Sequence, residues 1–157
     1  MLVGEGPGRE EDLTGRPFVG RAGRVLEALL ASVDLHREDV YVTNVIKDRA
    51  TTRTVPARDR PPAPGEISAC APWLAAQLAL IKPRIVVTLG RHALEALLPG
   101  GRIREVHGRP QRRGGRVILP LYHPSYALRN PATRPVLFKD IQVLADLLRE
   151  SAEFRGR

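Results

Sequence analysis

The sequence predicts an α/β protein built on a mostly parallel sheet with helices on both faces, and three observations predict it. Residues 85–89 read IVVTL, a short unbroken apolar run of the kind found in parallel strands buried on both sides. Gly90 follows at once and opens a helical pattern over residues 91–98, which Pro99 and two glycines close. The same succession of strand, turn and helix recurs along the chain, as crossover connections between parallel strands require.

Taken in order, residues 1–3 give a very short first strand. Gly4, Gly6, Gly8, Gly15 and Gly20 then fall among two prolines, a density that predicts a shaped loop rather than a helix or strand. Acids cluster in it, at Glu5, Glu10, Glu11 and Asp12, ahead of an exposed aromatic, Phe18. An amphipathic helix carrying Val25, Leu26, Leu29 and Leu30 begins near Ala22. Residues 40–42 form a β-branched and aromatic strand with Asn44 at or just past its end.

Residues 48–64 hold prolines and arginines with almost no apolar periodicity, so they form an exposed loop with no fold of its own. Ile67, Cys70, Trp73, Leu74, Leu78 and Ile81 then keep helical spacing up to Pro83. A strand fragment is expected at residues 103–106, followed by a basic turn and a strand over 117–122. The last helix spans 134–150, with Pro135 acceptable in its first turn.

A chain of 157 residues that is 43% hydrophobic suffices for one domain over 1–157 with its own core. No run of eighteen apolar residues and no signal-peptide pattern occurs, so neither a membrane span nor secretion is indicated and a cytoplasmic monomer is the default. Cys70 is the single cysteine and alone holds neither zinc nor an iron–sulfur cluster. The formal charge of +8 is polarised, with residues 1–46 at a net −3 and residues 100–134 at a net +7. That distribution fits a polyanion partner contacted by arginine, and equally a solvated basic surface.

Three places follow predicted strands and so converge at one edge of the sheet: the acidic loop, Asn44, and His123 in YHPSYALRN. Each also has a purely structural reading, Asn44 as a turn cap, His123 as a loop residue and Phe18 as core. GEGPG matches neither the dinucleotide fingerprint nor a phosphate-cradling loop, so a nucleotide cofactor is unsupported.

GEGPGREEDLTGRPFVGRAG, VTNVIK, PRIVVTLGRHAL and HPSYALR, in that order, resemble the family 4 type of uracil-DNA glycosylase over nearly the whole chain. The resemblance implies a central four-stranded parallel sheet in a three-layer α/β/α arrangement. It implies removal of uracil from DNA, the first step of base-excision repair, with uracil-containing DNA as partner. Phe18 then corresponds to the ring that stacks the flipped base, and Asn44 to the amide that reads uracil O4 and N3–H. His123 corresponds to the donor that stabilises the departing uracil anion. Gly6 fills a place where other glycosylase families carry an aspartate, so Glu11, and after it Glu5, is the candidate to hold the attacking water. Ser125 to Arg129 is expected to be a loop entering the minor groove, with Leu128 as wedge and Arg129 near phosphates.

The departures matter as much. Members usually ligate a four-iron cluster through four cysteines, two of them upstream of the first strand. Here the third position is Asp48 and only Cys70 matches, so no cluster is expected. The 48–64 loop is long for the family and carries arginines but no histidine, which argues against covalent trapping of uracil and leaves Arg53, Arg58 and Arg60 to clamp backbone, or the loop to fill the cluster's space. A monofunctional glycosylase is the leading expectation, and a non-catalytic binder of uracil-containing or damaged DNA the alternative.

Overall fold

The computed structural model describes residues 1–153. Five strands form one sheet in the order β2-β1-β3-β5-β4. They are β1 (Leu2–Gly4), β2 (Val42–Asn44), β3 (Ile85–Leu89), β4 (Gln111–Arg113) and β5 (Arg116–Leu121). The helices are α1 (Arg9–Thr14), α2 (Arg21–Ala31), α3 (Pro64–Ile81), α4 (Arg91–Leu97), α5 (Ile103–Val106), α6 (Pro124–Arg129) and α7 (Arg134–Glu153). The four implied parallel strands are joined by a fifth, β4, which runs antiparallel along the edge of β5.

Alternation along β3 and β5 builds two cores. Val87, Leu89, Leu119 and Leu121 pack with Leu26, Leu29, Leu30, Leu137 and Ile141 of α2 and α7 on one face. Val3 and Val86 pack with Ile46, Leu74 and Ala93 on the other. Each fully buried leucine contributes about 1.5–3 kcal/mol from removal of its apolar surface from water.

The chain leaves β1 for β2 on one side and later returns to β3 on the other. The strand order therefore reverses between β1 and β3, and the crevice beyond their carboxyl ends is where open parallel sheets place ligands.

Several expectations need correction. The acidic loop contains a helix, α1, because residues 9–14 form a window free of glycine and proline, and Gly15 ends it in the left-handed conformation (φ 69°). Residues 103–106 are the short helix α5 rather than a strand, and the strand comes later, at β4. Strand β2 is displaced to Val42–Asn44 because pairing with β1 sets its register, Leu2 opposite Val42 and Gly4 opposite Asn44. Trp73 and Ile81 do not join the core: Trp73 is 66% exposed, while Ile67, Cys70, Leu74 and Leu78 face inward.

The 48–64 loop has structure of its own. Thr51 and Asp59 form an antiparallel bridge, the Thr52 amide donates to the Arg58 carbonyl at 2.8 Å, and Ala50 and Pro62 are buried. Main-chain pairing supplies what apolar periodicity does not announce.

Candidate active site

The crevice at the carboxyl ends of β1, β3 and β5 collects side chains from three separate segments. A cavity of about 280 Å³ there is lined by Glu5, Gly6, His123, Ser125 and Arg129, with Arg60 on its rim. A second of about 390 Å³ adjoins it across Pro7 and Ile46 and is lined by Asn44, Lys47 and Glu11. The two cavities together match in scale a slot for one small ligand with room for its attachment.

His123 ends the turn after β5 and serves as N-cap of α6. Its Nδ1 accepts the Ser125 backbone N–H at 3.1 Å and lies 2.8 Å from Ser125 Oγ. An amide N–H only donates, so the neutral imidazole carries its proton on Nε2, and the serine hydroxyl donates as well. Desolvation in the crevice pulls the His123 pKa down to about 4, against the opposing field of Glu5. The ring is thus a neutral donor at physiological pH, a state that costs no charged group in a place shielded from water.

Phe18 stacks against His123, ring centroids 5.6 Å apart and planes 28° from parallel. Contrary to the expectation of an exposed ring, it is buried in the core beside α2 and α7, and it is held in a left-handed backbone conformation, φ 54°, unusual for a residue with a side chain. Arg37 holds it there, donating from Nη1 to the Phe18 carbonyl at 2.9 Å and from Nη2 to that of Pro17. Space for the ring comes from glycine. A Cβ on Gly4 would sit 2.5 Å from both Phe18 Cε2 and Asn44 Oδ1, and one on Gly23 would sit 1.9 Å from the Phe18 carbonyl oxygen.

Asn44 is the last residue of β2, and its side-chain Oδ1 is buried with no hydrogen-bond partner among the described residues. An orphaned acceptor of this kind costs about 1–3 kcal/mol and is open to a donor from outside the protein. Lys47 holds the strand end: its Nζ donates to the Asn44 carbonyl at 2.6 Å, to Thr43 Oγ1 at 2.9 Å and to Gln77 Oε1 at 2.9 Å. Partial burial lowers the Lys47 pKa, with Cys70 acting in the opposite sense.

The two carboxylates of the first loop are used differently. Glu11 is engaged on both oxygens, Oε2 with the Gly8 amide at 3.1 Å and Oε1 with those of Val19 and Gly20 at 3.0 and 2.9 Å. It clasps the loop to itself. Glu5 instead faces the cavity that His123 lines and pairs with His92 Nδ1 at 2.6 Å, across the β1/β3 switch. Sequence reading passed over His92, Lys47 and Arg37. Lys47 and His92 lie inside VTNVIK and PRIVVTLGRHAL, but nothing local ties His92 to a residue 87 positions away.

Ser125 to Arg129 is not a loop but the helix α6, because Pro124 occupies its first turn and His123 caps it. Leu128 is exposed at its far end, and Arg129 lies at the cavity mouth. Arg53 and Arg58 are exposed in the 48–64 segment. Arg60 is committed elsewhere, in a bidentate pair with Glu66 at 2.7 and 2.8 Å that pulls the Glu66 pKa down to about 2.

The donor set does not fit a four-iron cluster. Cys70 Sγ accepts the Lys47 amide at 3.3 Å, Asp48 stands where a third thiolate would be, and among the described residues no three His, Cys, Asp or Glu side chains gather to hold a metal. No described helix is long and apolar enough to cross a membrane.

The model of a uracil DNA glycosylase superfamily matches residues 1–147. A type-4 uracil-DNA glycosylase of Thermotoga maritima is 45% identical over 147 residues, covering 90% of this chain and 73% of that protein. One of Archaeoglobus fulgidus is 40% identical over 156 residues, covering 94% and 75%. A type-5 uracil-DNA glycosylase of Thermus thermophilus is 36% identical over 147 residues, covering 80% and 64%.

Proposed function

The chain belongs to the uracil-DNA glycosylase superfamily, and we infer from that premise that it hydrolyses the N-glycosidic bond of uracil in DNA and leaves an abasic site. The base must first leave the stack and enter the crevice. As the N1–C1′ bond breaks, its electron pair moves onto the uracil ring, where O2 carries much of the charge. His123 Nε2–H is the donor for that oxygen, and a neutral donor in a desolvated site strengthens its bond as charge develops. The hydrogen bond from the Ser125 amide to His123 Nδ1, which leaves the ring proton on Nε2, is the observation that carries this reading.

Asn44 reads the base. Its unpartnered Oδ1 accepts N3–H and its amide nitrogen donates to O4, a pattern that cytosine reverses. Phe18 supplies the stacking face. Glu5 holds the water that attacks C1′ and takes its proton, fixed in place by His92, while Glu11 keeps the loop in shape. Leu128 wedges the vacated stack and Arg129 meets the adjacent phosphate, with Arg53 and Arg58 as further backbone contacts.

No cluster takes part in this scheme, since Asp48 stands where the resemblance calls for a third thiolate. Release of free uracil from an oligonucleotide, with cytosine at the same position left in place, tests the activity and its selectivity together.

A further inference from the structure

A cavity of about 480 Å³, larger than either crevice cavity, opens at the opposite end of the sheet. Its walls are the amino-terminal ends of β3 and β5, the two-glycine turn between β4 and β5, and the last turns of α7. Four arginines line it, Arg84, Arg112, Arg113 and Arg116, against one acid, Glu150. The arginine ion pairs among the described residues involve Arg49, Arg60, Arg102 and Arg149, so none of the four is neutralised by a carboxylate within that set.

The sheet forces like charges together there. Arg113 and Arg116 are directly opposite each other in the β4–β5 ladder, a pairing that destabilises a hairpin unless an anion lies between them. Arg116 is also positioned, its Nη2 donating to the Leu78 carbonyl at 3.3 Å. Four arginines, one ahead of β3 and three on the β4–β5 hairpin, border this one concavity.

We propose that this cleft is a second nucleic-acid site, which takes the phosphate backbone of a DNA segment other than the one being processed. Guanidinium groups match phosphate oxygens in bidentate geometry, and several around one groove suit a repeating polyanion better than a single carboxylate. Arg116 and His123 flank β5, roughly 20 Å apart at the rise of a strand. A duplex with a persistence length of about 50 nm does not fold round that distance to reach both ends. The cleft therefore holds a neighbouring segment, and the protein can pass from one duplex to another while searching. The choice of DNA as the polyanion rests on the glycosylase reading.

The test is capture of a labelled, uracil-free duplex by the full chain bound to a bead-immobilised duplex, at about 50 mM salt. Wild-type protein is compared with Arg84→Ala/Arg112→Ala/Arg113→Ala, and excision from a short single-uracil oligonucleotide is timed in parallel. Wild type should bridge the duplexes, and the triple variant should capture at least tenfold less while excising at the wild-type rate. The salt dependence of capture should flatten by about 2.7 in log–log slope, three phosphates at roughly 0.9 each. Replacement of the same arginines by lysine should restore most of the capture. Arg112→Glu alone, on the exposed edge strand, should lower capture fivefold or more, which covers a triple variant that does not fold. Absence of bridging by wild type, equal capture by the variants, or displacement of the duplex by inorganic phosphate or polyglutamate at matched charge would each overturn the proposal. The parallel excision assay reports separately on the glycosylase reading.

Discussion

The Ser125 backbone amide donates to Nδ1 of His123 across 3.1 Å, and that bond decides which nitrogen of the ring faces a substrate as a donor. The Ser125 hydroxyl, 2.8 Å away, reinforces an orientation that the main chain already sets. Ser125→Ala should therefore lower the single-turnover excision rate by no more than about tenfold, because the amide that fixes the tautomer remains. A loss comparable to removing the ring would mean that the hydroxyl, and not the backbone, sets the tautomer.

Burial holds the His123 pKa at about 4, so the rate should be flat with respect to this group from pH 8 to pH 5. An imidazolium catalyst would instead speed up as pH falls through 6.5. Stability follows with a definite sign. Between about pH 6.5 and 4 the unfolded chain protonates this histidine and the folded chain does not, so folding weakens as pH falls through that window. The effect is about 3 kcal/mol at most, since the ring is partly open to the cavity. Urea unfolding at pH 7 and pH 4.5 should show a smaller decline for His123→Ala than for wild type, and equal declines would contradict the assignment.

Asn44 presents a conflict between stability and function. Its Oδ1 is buried without a partner among the described residues, so Asn44→Ala should leave the melting temperature unchanged or raise it. The same change should lower kcat/KM for uracil by ~10² or more, the loss expected for a site built around a hydrogen bond. A variant that loses stability and activity in proportion would reveal a structural asparagine.

Glu5 and Glu11 should separate in the opposite way. Glu11→Gln replaces an acceptor of three backbone amides by a group that must also donate, and should cost about 1–3 kcal/mol in stability. Glu5→Gln should leave the unfolding midpoint nearly unchanged and lower kcat by ~10²–10⁴. Thermal melts beside single-turnover rates make the comparison, and the reverse pattern would return the water-holding role to Glu11.

The central strands were legible because their information is local. IVVTL has one reasonable reading, and Ile85–Leu89 is the strand observed. Helix α1 was hidden because the glycines on either side dominate any window wide enough to show periodicity, although Gly8 and Glu11 stand at the spacing of an N-terminal cap and its reciprocal acid. Residues 103–106 misled because two β-branched residues, Ile103 and Val106, bracket a stretch too short for either period to decide. Asn44 and His123, both read from motifs, line the two crevice cavities, while Phe18 is buried and lines neither. The positioning residues were not legible, because the Glu5–His92 bond and the hold of Arg37 on Phe18 exist only once the sheet has brought distant segments together.

The central claim is that His123 and its neighbours excise uracil, and the most direct measurement uses one labelled oligonucleotide with a single uracil. The protein is incubated with it, alkali cleaves any abasic site, and the strand is sized. Wild type should cut at the uracil alone, and His123→Ala should do so ~10²–10³ times more slowly with DNA binding retained. Wild-type protein that binds the oligonucleotide and yields no cleavage above background would contradict the account.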